Sequence, residues 1–151
     1  MKAIHIKSAS FQDAIWPEIR AIRDLVFIQE QAVSEEEEYD EYEAVSRHFC
    51  AYVVGKPAGT ARWRRTEKGI KLERFAVLKE SRKLGVGRAL VGAVLQDVFQ
   101  QEAAPGSIYL HAQLHAIPFY EKSGFEAFGD IFSEADILHR IMYFTGEAPE
   151  A

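Results

Sequence analysis

A pair of glycines between a predicted strand and a predicted long helix is the feature that most constrains the fold of this chain. The stretch runs from Phe75 to Leu90 and contains the pattern Arg-x-x-Gly-x-Gly at residues 82–87. Glycine lets a backbone adopt unusual dihedral angles and approach a ligand closely. The first N–H groups of a helix have no partner within it, and they lie at the positive end of its dipole. The stretch therefore predicts a site for an anion such as a pyrophosphate.

The charges around the glycines agree with an anion site. Residues 79–88 hold four cations and one anion in a chain whose net charge is −5: Lys79, Arg82, Lys83 and Arg88 against Glu80. The alternative is a solvated turn before a helix. The pattern is not a Rossmann fingerprint, which needs Gly-x-Gly-x-x-Gly after an early strand. It is not a P-loop either, because no Gly-Lys-Ser/Thr follows.

The spacing of apolar residues predicts an α/β fold around this stretch. Residues 86–99 carry a wide apolar stripe, which is typical of a helix packed on a sheet. Shorter runs predict strands over residues 3–9, 47–54, 60–65, 70–77, 107–112, 125–128 and 138–144, and a helix over 117–122. For the first helix, either a capping box at Ser10 and Asp13 begins a helix that kinks at Pro17, or the main helix begins at Pro17. The order predicts a mixed sheet with one strand–helix–strand crossover.

One predicted strand contains a change of phase. Ile70 and Leu72 place apolar side chains on even positions, whereas Phe75 and Val77 place them on odd positions. Because strand side chains alternate strictly, an extra residue just after Glu73, that is a β-bulge, would keep all four on one face. The alternative is that Phe75 and Val77 cover a second apolar face. Bulges re-aim side chains and are frequent next to active sites.

The composition limits the classes of function. The chain has 151 residues, 48% of them hydrophobic, which is enough for one domain with a real core. The net charge of −5 argues against a nucleic-acid partner. Cys50 is the only cysteine, which excludes an internal disulfide and a cysteine metal site. Because residues 1–10 lack the apolar core of a signal peptide and no apolar run could span a bilayer, we expect a cytoplasmic protein with no membrane contact.

Two motifs of the chain resemble those of the GNAT superfamily of acyl-CoA-dependent N-acyltransferases. The glycine stretch is similar to the pyrophosphate-binding motif of that superfamily. Residues 116–125 have the pattern Ala-x-x-Phe-Tyr-x-x-x-Gly-Phe and are similar to its second signature. Within the superfamily the chain resembles the ElaA/YjcF-like group, and the matching pieces are residues 23–27 with Glu30 and Gln31, residues 111–113, and Leu138 with His139.

The resemblance implies the GNAT fold over residues 1–145, with a single mixed central sheet flanked by helices, the β-bulge before the pyrophosphate loop, and a flexible tail over 146–151. It implies acetyl-CoA as cosubstrate and no metal. The backbone of Phe75, Ala76 and Val77 would pair with the pantetheine arm like an added strand. Many members have Asn where Gln113 and His115 stand here. The pyrophosphate would be held by Arg82, Lys83, Leu84, Gly85, Val86, Gly87, Arg88 and Ala89.

The resemblance also implies that a primary amine attacks the thioester directly within a ternary complex. An ammonium group with a pKa of ~10.4 must first lose a proton. Glu73, acting through water, is the first candidate for the base, and His111 and His115 are the second. Tyr120 is the candidate acid for the leaving thiolate. The alternatives are structural: an ion pair for Glu73, strand-end and helix-cap positions for the two histidines, and core packing for Tyr120. Cys50 is expected to be a core residue, and the alternative for it is a nucleophile.

The expected function is acetyl transfer from acetyl-CoA to a small-molecule or protein amine. The alternative is a module that binds acyl-CoA without turnover. The acceptor would enter near Glu73 and His111. The acidic run from Ser34 to Glu43 either attracts a cationic acceptor or is a solvated face. A homodimer is one possible assembly of the protein.

Overall fold

The computed structural model describes residues 3–149 and contains one seven-stranded sheet. Its strands are β1 (Ile4–Ala9), β2 (Arg47–Val53), β3 (Lys56–Thr66), β4 (Gly69–Val77), β5 (Ile108–Gln113), β6 (Phe125–Glu134) and β7 (Ile137–Phe144). Its helices are α1 (Trp16–Arg23), α2 (Glu35–Glu38), α3 (Val86–Gln101) and α4 (Ile117–Lys122), with a π-helical segment (Asp24–Glu30) and two 3₁₀ turns (Lys79–Ser81 and Leu114–Ala116).

The sheet is mixed, with the strand order β1-β2-β3-β4-β5-β7-β6. β4 and β5 run parallel and are joined by the α3 crossover, while the other neighbours pair antiparallel. This arrangement confirms the predicted fold class, a single mixed central sheet flanked by helices.

Helices cover both faces of the sheet, as β2 shows. Phe49 and Ala51 belong to the core under α3, whereas Cys50 and Tyr52 belong to the core under α1 and the π-helical segment. Cys50 is fully buried, and burial raises the pKa of its thiol to about 11. Cys50 is therefore a core residue, as expected from the sequence. Because the thiolate is the reactive form, the raised pKa argues against a nucleophile.

Helix α1 begins at Trp16, with Pro17 in its first turn. The alternative that starts the main helix at the proline is therefore confirmed, and the capping box at Ser10 is wrong. Ser10 instead accepts a hydrogen bond at its carbonyl oxygen from the N–H of Asp13, at 3.1 Å, in a turn before the helix.

The π-helical segment that continues α1 was not predicted. The N–H of Gln31 donates to the carbonyl oxygen of Val26 at 3.1 Å, five residues back. The wider turn places two consecutive residues, Val26 and Phe27, in the core. Short π-helical stretches are frequent at functional sites, and Glu30 and Gln31 at the end of this one contact residues of the site described below.

The predicted β-bulge in β4 is present. Thr60 of β3 lies opposite Ala76, and Arg62 lies opposite Glu73, so two residues of β4 face one residue of β3. Arg74 is one of these two, and its φ of 61° lies in the left-handed region. The bulge is therefore built by an unusual backbone conformation at an arginine.

The bulge has two consequences for β4. Phe75 and Val77 pack against the same core as Ile70 and Leu72, which is the outcome predicted from the change of phase. In addition, β4 pairs with β5 only over residues 70–72. The two parallel strands therefore separate beyond Leu72.

Much of the acidic run forms an internal charge network. Arg62 is fully buried and contacts Asp40 at 2.7 Å and Glu43 at 2.8 Å. Arg23 is also fully buried and contacts Glu38 at 2.7 Å and Glu43 at 2.8 Å. The expectation of a solvated face is wrong for these carboxylates, because they pair with arginines of α1 and β3.

Two further predictions concern membrane contact and the C-terminal tail. None of the helices within residues 3–149 is long and apolar enough to cross a membrane. The last two residues of the predicted flexible tail, 150 and 151, lie outside the described residues. Gly146, the first residue of that tail, donates its N–H to the carbonyl oxygen of Gly124 at 3.2 Å.

Replacing Arg62 by Met should strongly destabilise the protein, because the buried carboxylates of Glu43 and Glu73 both contact this cation. Removing one partner of a buried ion pair costs about 3–5 kcal/mol. The free energy of unfolding, measured in urea, should fall by that amount. Arg65→Met on the same strand is the control, since Arg65 pairs with Glu102 at the surface and such pairs contribute up to about 1 kcal/mol. Equal losses in the two variants would contradict the importance of the network.

Candidate active site

A cavity of about 450 Å³ opens beside the start of α3, and we call it the glycine-loop cavity. Of the residues predicted to bind the coenzyme, Leu84 and Ala89 lie outside its lining. The others line it: Phe75, Ala76, Val77, Arg82, Lys83, Gly85, Val86, Gly87 and Arg88. Five further residues complete the lining and were not predicted as coenzyme contacts: Ser81, Leu90, His115, Phe119 and Tyr120.

The start of α3 has the geometry of an anion site. Gly85 precedes the helix with a φ of 86°, a left-handed conformation that favours glycine. The N–H groups of residues 85–88 have no partner within the helix, as in the first turn of any α-helix. No side chain caps this helix end either. The N–H of Ala89 already donates to the carbonyl oxygen of Gly85 at 3.0 Å. Ala89 therefore cannot offer the N–H that the sequence assigned to it.

Gly87 keeps the cavity open between the loop and α4. A β-carbon at this position would lie 3.2 Å from Cζ of Phe119 and 3.9 Å from Cγ2 of Val77. Both neighbours line the cavity. Any side chain at position 87 would therefore occupy the space that a ligand needs.

The cations of the loop differ in their partners. Arg82 donates from both terminal nitrogens to Glu30 at 2.6 Å, and from Nε to the carbonyl oxygen of Val77 at 3.0 Å. The hydrogen bond from Arg82 lowers the pKa of Glu30, so this carboxyl group stays charged. Lys83 and Arg88 are exposed. A phosphate group would meet these two cations first and would share Arg82 with Glu30.

The edge of β4 after the bulge is open on the side of β5. Among the described residues, none of positions 73–77 pairs with β5, although β5 continues to pair with β7 along its other edge up to Gln113. Backbone N–H and C=O groups at such an edge are ready to pair with an extended chain. The gap lies beside Phe75, Ala76 and Val77, where the resemblance to the GNAT superfamily implies a pantetheine arm.

A second cavity, of about 260 Å³, lies between β4, β5 and the β6–β7 hairpin, and we call it the histidine cavity. Its ionisable lining residues are Glu37, Glu38, Lys71, Glu73, Arg74, His111, His115, Glu134 and His139. Phe27, Val33 and Ile137 add apolar surface. Gln113, which stands where many GNAT members have Asn, lines this cavity and donates to Gln31 at 2.9 Å.

The two cavities meet at three residues that line both: Phe75, His115 and Tyr120. Tyr120 is buried, and its ring packs edge-on against Phe75 with centroids 5.9 Å apart and against Phe119 with centroids 5.0 Å apart. Burial raises the pKa of the Tyr120 hydroxyl, so the group stays protonated. Tyr120 therefore packs among aromatic rings and also lies at the junction of the cavities.

Glu73 lies in the histidine cavity but is held by cations. Its carboxylate contacts Arg62 at 2.8 Å, Arg64 at 2.6 Å and Lys71 at 3.3 Å. Desolvation alone would raise the pKa of Glu73, but the nearby charges of Arg62, Lys71 and Arg74 and the hydrogen bond from Arg64 lower it to about 2. A carboxylate this acidic accepts a proton poorly, so the geometry favours the ion-pair alternative for Glu73 over the base.

His111 faces the same cavity with a different partner. Its Nδ1 lies 3.3 Å and 3.4 Å from the two carboxylate oxygens of Glu134, and Nε2 of His139 lies 3.8 Å from the same carboxylate. Glu134 was missed because the sequence ended β6 at Phe128. In the structure β6 continues to Glu134 and turns through two residues with φ of 51° and 60°, which form a tight hairpin without glycine.

Within residues 3–149, no group of three or more His, Cys, Asp or Glu side chains is arranged to hold a metal ion.

Comparison with known proteins agrees with the fold and the motifs. The family model described as an acetyltransferase (GNAT) domain matches residues 20–145. The uncharacterized N-acetyltransferase YjcF of Bacillus subtilis (strain 168) is 40% identical over 141 residues, which is 92% of this chain and 96% of the relative.

Two solved structures have the same fold. Escherichia coli ElaA superposes with a TM-score of 0.79 at 19% identity, over 93% of this chain and 99% of that one. A Bacillus subtilis acetyltransferase in complex with CoA superposes with a TM-score of 0.71 at 16% identity, over 96% of this chain and 100% of that one. The family match over most of the chain and the identity to YjcF confirm the resemblance seen in the two motifs, and this chain belongs to the GNAT family of N-acetyltransferases.

Proposed function

We propose that this protein transfers the acetyl group of acetyl-CoA to a primary amine by direct attack within a ternary complex. The observation that carries the proposal is the junction of the two cavities at Phe75, His115 and Tyr120. One cavity has the features of a pyrophosphate site, and the other combines imidazole, carboxylate and apolar groups. The CoA bound to a protein of the same fold supports the assignment of the first cavity.

The residues of the glycine-loop cavity fit a coenzyme A molecule. The N–H groups of residues 85–88 and the cations Lys83 and Arg88 would bind the pyrophosphate. The open edge of β4 over Phe75, Ala76 and Val77 would pair with the amides of the pantetheine arm. This arm would carry the thioester toward Tyr120.

The amine would bind in the histidine cavity and react as the neutral base. The ammonium N–H bond breaks and its proton passes to an imidazole, for which we propose His111, because Glu73 is held by cations. The nitrogen then attacks the thioester carbonyl carbon, and the carbonyl electron pair moves to oxygen. The nitrogen, which is now positively charged, loses its second proton. When the electron pair returns from oxygen, the C–S bond breaks and the thiolate takes up a proton. The products are an amide, free coenzyme A and one proton.

Tyr120 would assist the leaving sulfur through a hydrogen bond. A phenol (pKa ~10) gives up its proton to a thiolate (~8.5) only at a cost of about 2 kcal/mol in water. Burial raises the pKa of Tyr120 further, so full transfer becomes less favourable while donation of a hydrogen bond remains available.

Turnover separates this proposal from its alternative, a module that binds acyl-CoA without chemistry. The purified protein should release free thiol from acetyl-CoA in the presence of at least one amine of a panel of spermidine, putrescine, free lysine, glucosamine and a lysine peptide. Thiol release without amine gives the background. A protein that binds acetyl-CoA and releases no thiol above background with the panel would favour the sensor instead.

Gly87→Ala should weaken binding of acetyl-CoA at least tenfold, because the added methyl group points at Phe119 within the cavity. Gly92→Ala is the matched control, since it adds the same methyl group on the same helix where nothing lies within 4 Å. Both changes should support helix α3, because alanine is about 0.5–1 kcal/mol better than glycine inside a helix. Calorimetric titration measures the affinity of each variant for acetyl-CoA. Equal affinities in the two variants would show that the coenzyme does not bind beside Gly87.

Tyr120→Phe should lower kcat and leave the affinity for acetyl-CoA nearly unchanged, because the lost hydrogen bond forms mainly in the transition state. General acids contribute ~10²–10⁴-fold, and we expect the low end, since the thiol is itself fairly acidic. Tyr52→Phe is the control: Tyr52 is also buried, but it packs in the other core and donates to Glu18 at 2.9 Å. Steady-state kinetics measure both effects. If chemistry is rate-limiting and kcat stays within about twofold of the wild-type value, Tyr120 has a packing role only.

A further inference from the structure

We propose that Glu134 is a positioning residue that holds His111 in the tautomer whose Nε2 is free to take the proton of the amine. The inference deepens the proposed function and rests on it for the identity of the substrate. No feature of the two sequence motifs pointed to Glu134, which lies outside both.

The contact itself fixes the tautomer. Nδ1 of His111 lies 3.3 Å from one oxygen of Glu134 and 3.4 Å from the other. An ionised carboxylate only accepts hydrogen bonds, so Nδ1 must carry the hydrogen. The hydrogen bond from His111 lowers the pKa of Glu134, which keeps this carboxyl group ionised. A neutral His111 therefore has its lone pair on Nε2.

The surroundings leave Nε2 available. Within residues 3–149, the hydrogen bonds of the His111 ring involve Nδ1 alone. The ring packs edge-on against Phe132, with centroids 5.0 Å apart, and lies 6.0 Å from the ring of Tyr109. The side chain of His111 is 23% exposed and that of Glu134 is 46% exposed. Aromatic contacts and one carboxylate thus orient a ring that still reaches the cavity.

The other charged groups near the pair do not replace Glu134 in this role. Lys71 of β4 contributes a positive charge near the Glu134 carboxylate, and Glu73 is held by cations. His139 of β7 has its Nδ1 2.7 Å from the carbonyl oxygen of Ile137, which makes Nδ1 a donor, and its Nε2 faces Glu134 at 3.8 Å. His139 is 7% exposed, so His111 is the more accessible imidazole.

In the reaction, Nε2 of His111 would form a bond to hydrogen as the ammonium N–H bond breaks. The ring then carries a positive charge beside the ionised Glu134, which stabilises it. The neutral amine proceeds to the thioester, and the imidazolium later returns its proton to solvent. Glu134 touches neither the amine nor the thioester in this scheme and acts through His111.

The first test reads the tautomer directly and needs no substrate. Nitrogen NMR of the five histidines at about pH 9, where imidazoles are neutral, distinguishes a protonated Nδ1 from a protonated Nε2. The His111 signals are assigned by their loss in His111→Gln. We expect the Nδ1–H form in the wild type, a shift toward the Nε2–H form in Glu134→Leu, and an intermediate result in Glu134→Gln. Glu126→Leu, at an exposed position of the same strand, should match the wild type.

The second test measures the consequence for turnover with the best amine of the panel. Glu134→Gln should lower kcat at least tenfold and leave the KM for acetyl-CoA unchanged, because Glu134 does not line the glycine-loop cavity. The loss should not exceed the ~10²–10⁴-fold contribution of a general base. Glu126→Gln should retain wild-type values for both constants.

The outcomes separate this inference from the proposed function. An Nε2–H tautomer in the wild type, or an unchanged tautomer in Glu134→Leu, overturns the positioning role even if acetyl transfer is found. The expected tautomers without thiol release from any amine overturn the proposed function, and with it the catalytic use of the pair.

Discussion

The extra residue in β4 is the constraint on which the rest of the site depends. Because Arg74 takes a left-handed φ of 61°, Phe75 and Val77 return to the core face that Ile70 and Leu72 occupy before it. The same local twist ends the pairing of β4 with β5 after residue 72. A regular strand would continue that pairing and close the gap. The separation of two parallel strands therefore creates both the open edge for an extended ligand and the point where the two cavities meet.

A left-handed arginine is costly, roughly 1–2 kcal/mol, and the charge network offers the compensation. The Arg74 guanidinium donates to the carbonyl oxygen of Glu38 at 3.1 Å and to Asp40 at 3.2 Å. Asp40 also contacts Arg62, which contacts Glu73 on the other side of the bulge. Through these ion pairs and hydrogen bonds, the acidic run connects the bulge in β4 to α1 and β3. Four carboxylates of this region, those of Glu38, Asp40, Glu43 and Glu73, are thus matched by arginines inside the fold.

The sequence predicted the parts that depend on local pattern. The apolar stripe of α3, the change of phase in β4 and the glycine pair each act over a few residues, and the structure has all three. It did not predict contacts between distant residues, such as those that bury Glu38 and Glu43, because charge pairing depends on the tertiary arrangement. For Glu73 it offered an ion pair only as the alternative to a catalytic base. Glu134 was missed for a related reason: its hairpin turn lacks the glycine that marks such turns.

These contacts separate two kinds of ionisable group in one cavity. Groups on β4 are matched with opposite charges, so Glu73 has a pKa near 2 and serves the fold. On the side of β5 and the β6–β7 hairpin, the carboxylate of Glu134 lies close to the imidazoles of His111 and His139. This carboxylate has no arginine partner in the described part of the chain. Proton transfer needs a group that can change its charge without breaking the fold. The network around Arg62 cannot do so, whereas His111 can, because its ring keeps the contact between Nδ1 and Glu134 whether Nε2 carries a proton or not. These contacts support the proposal that the base lies on the hairpin side of the cavity, across from the bulge in β4.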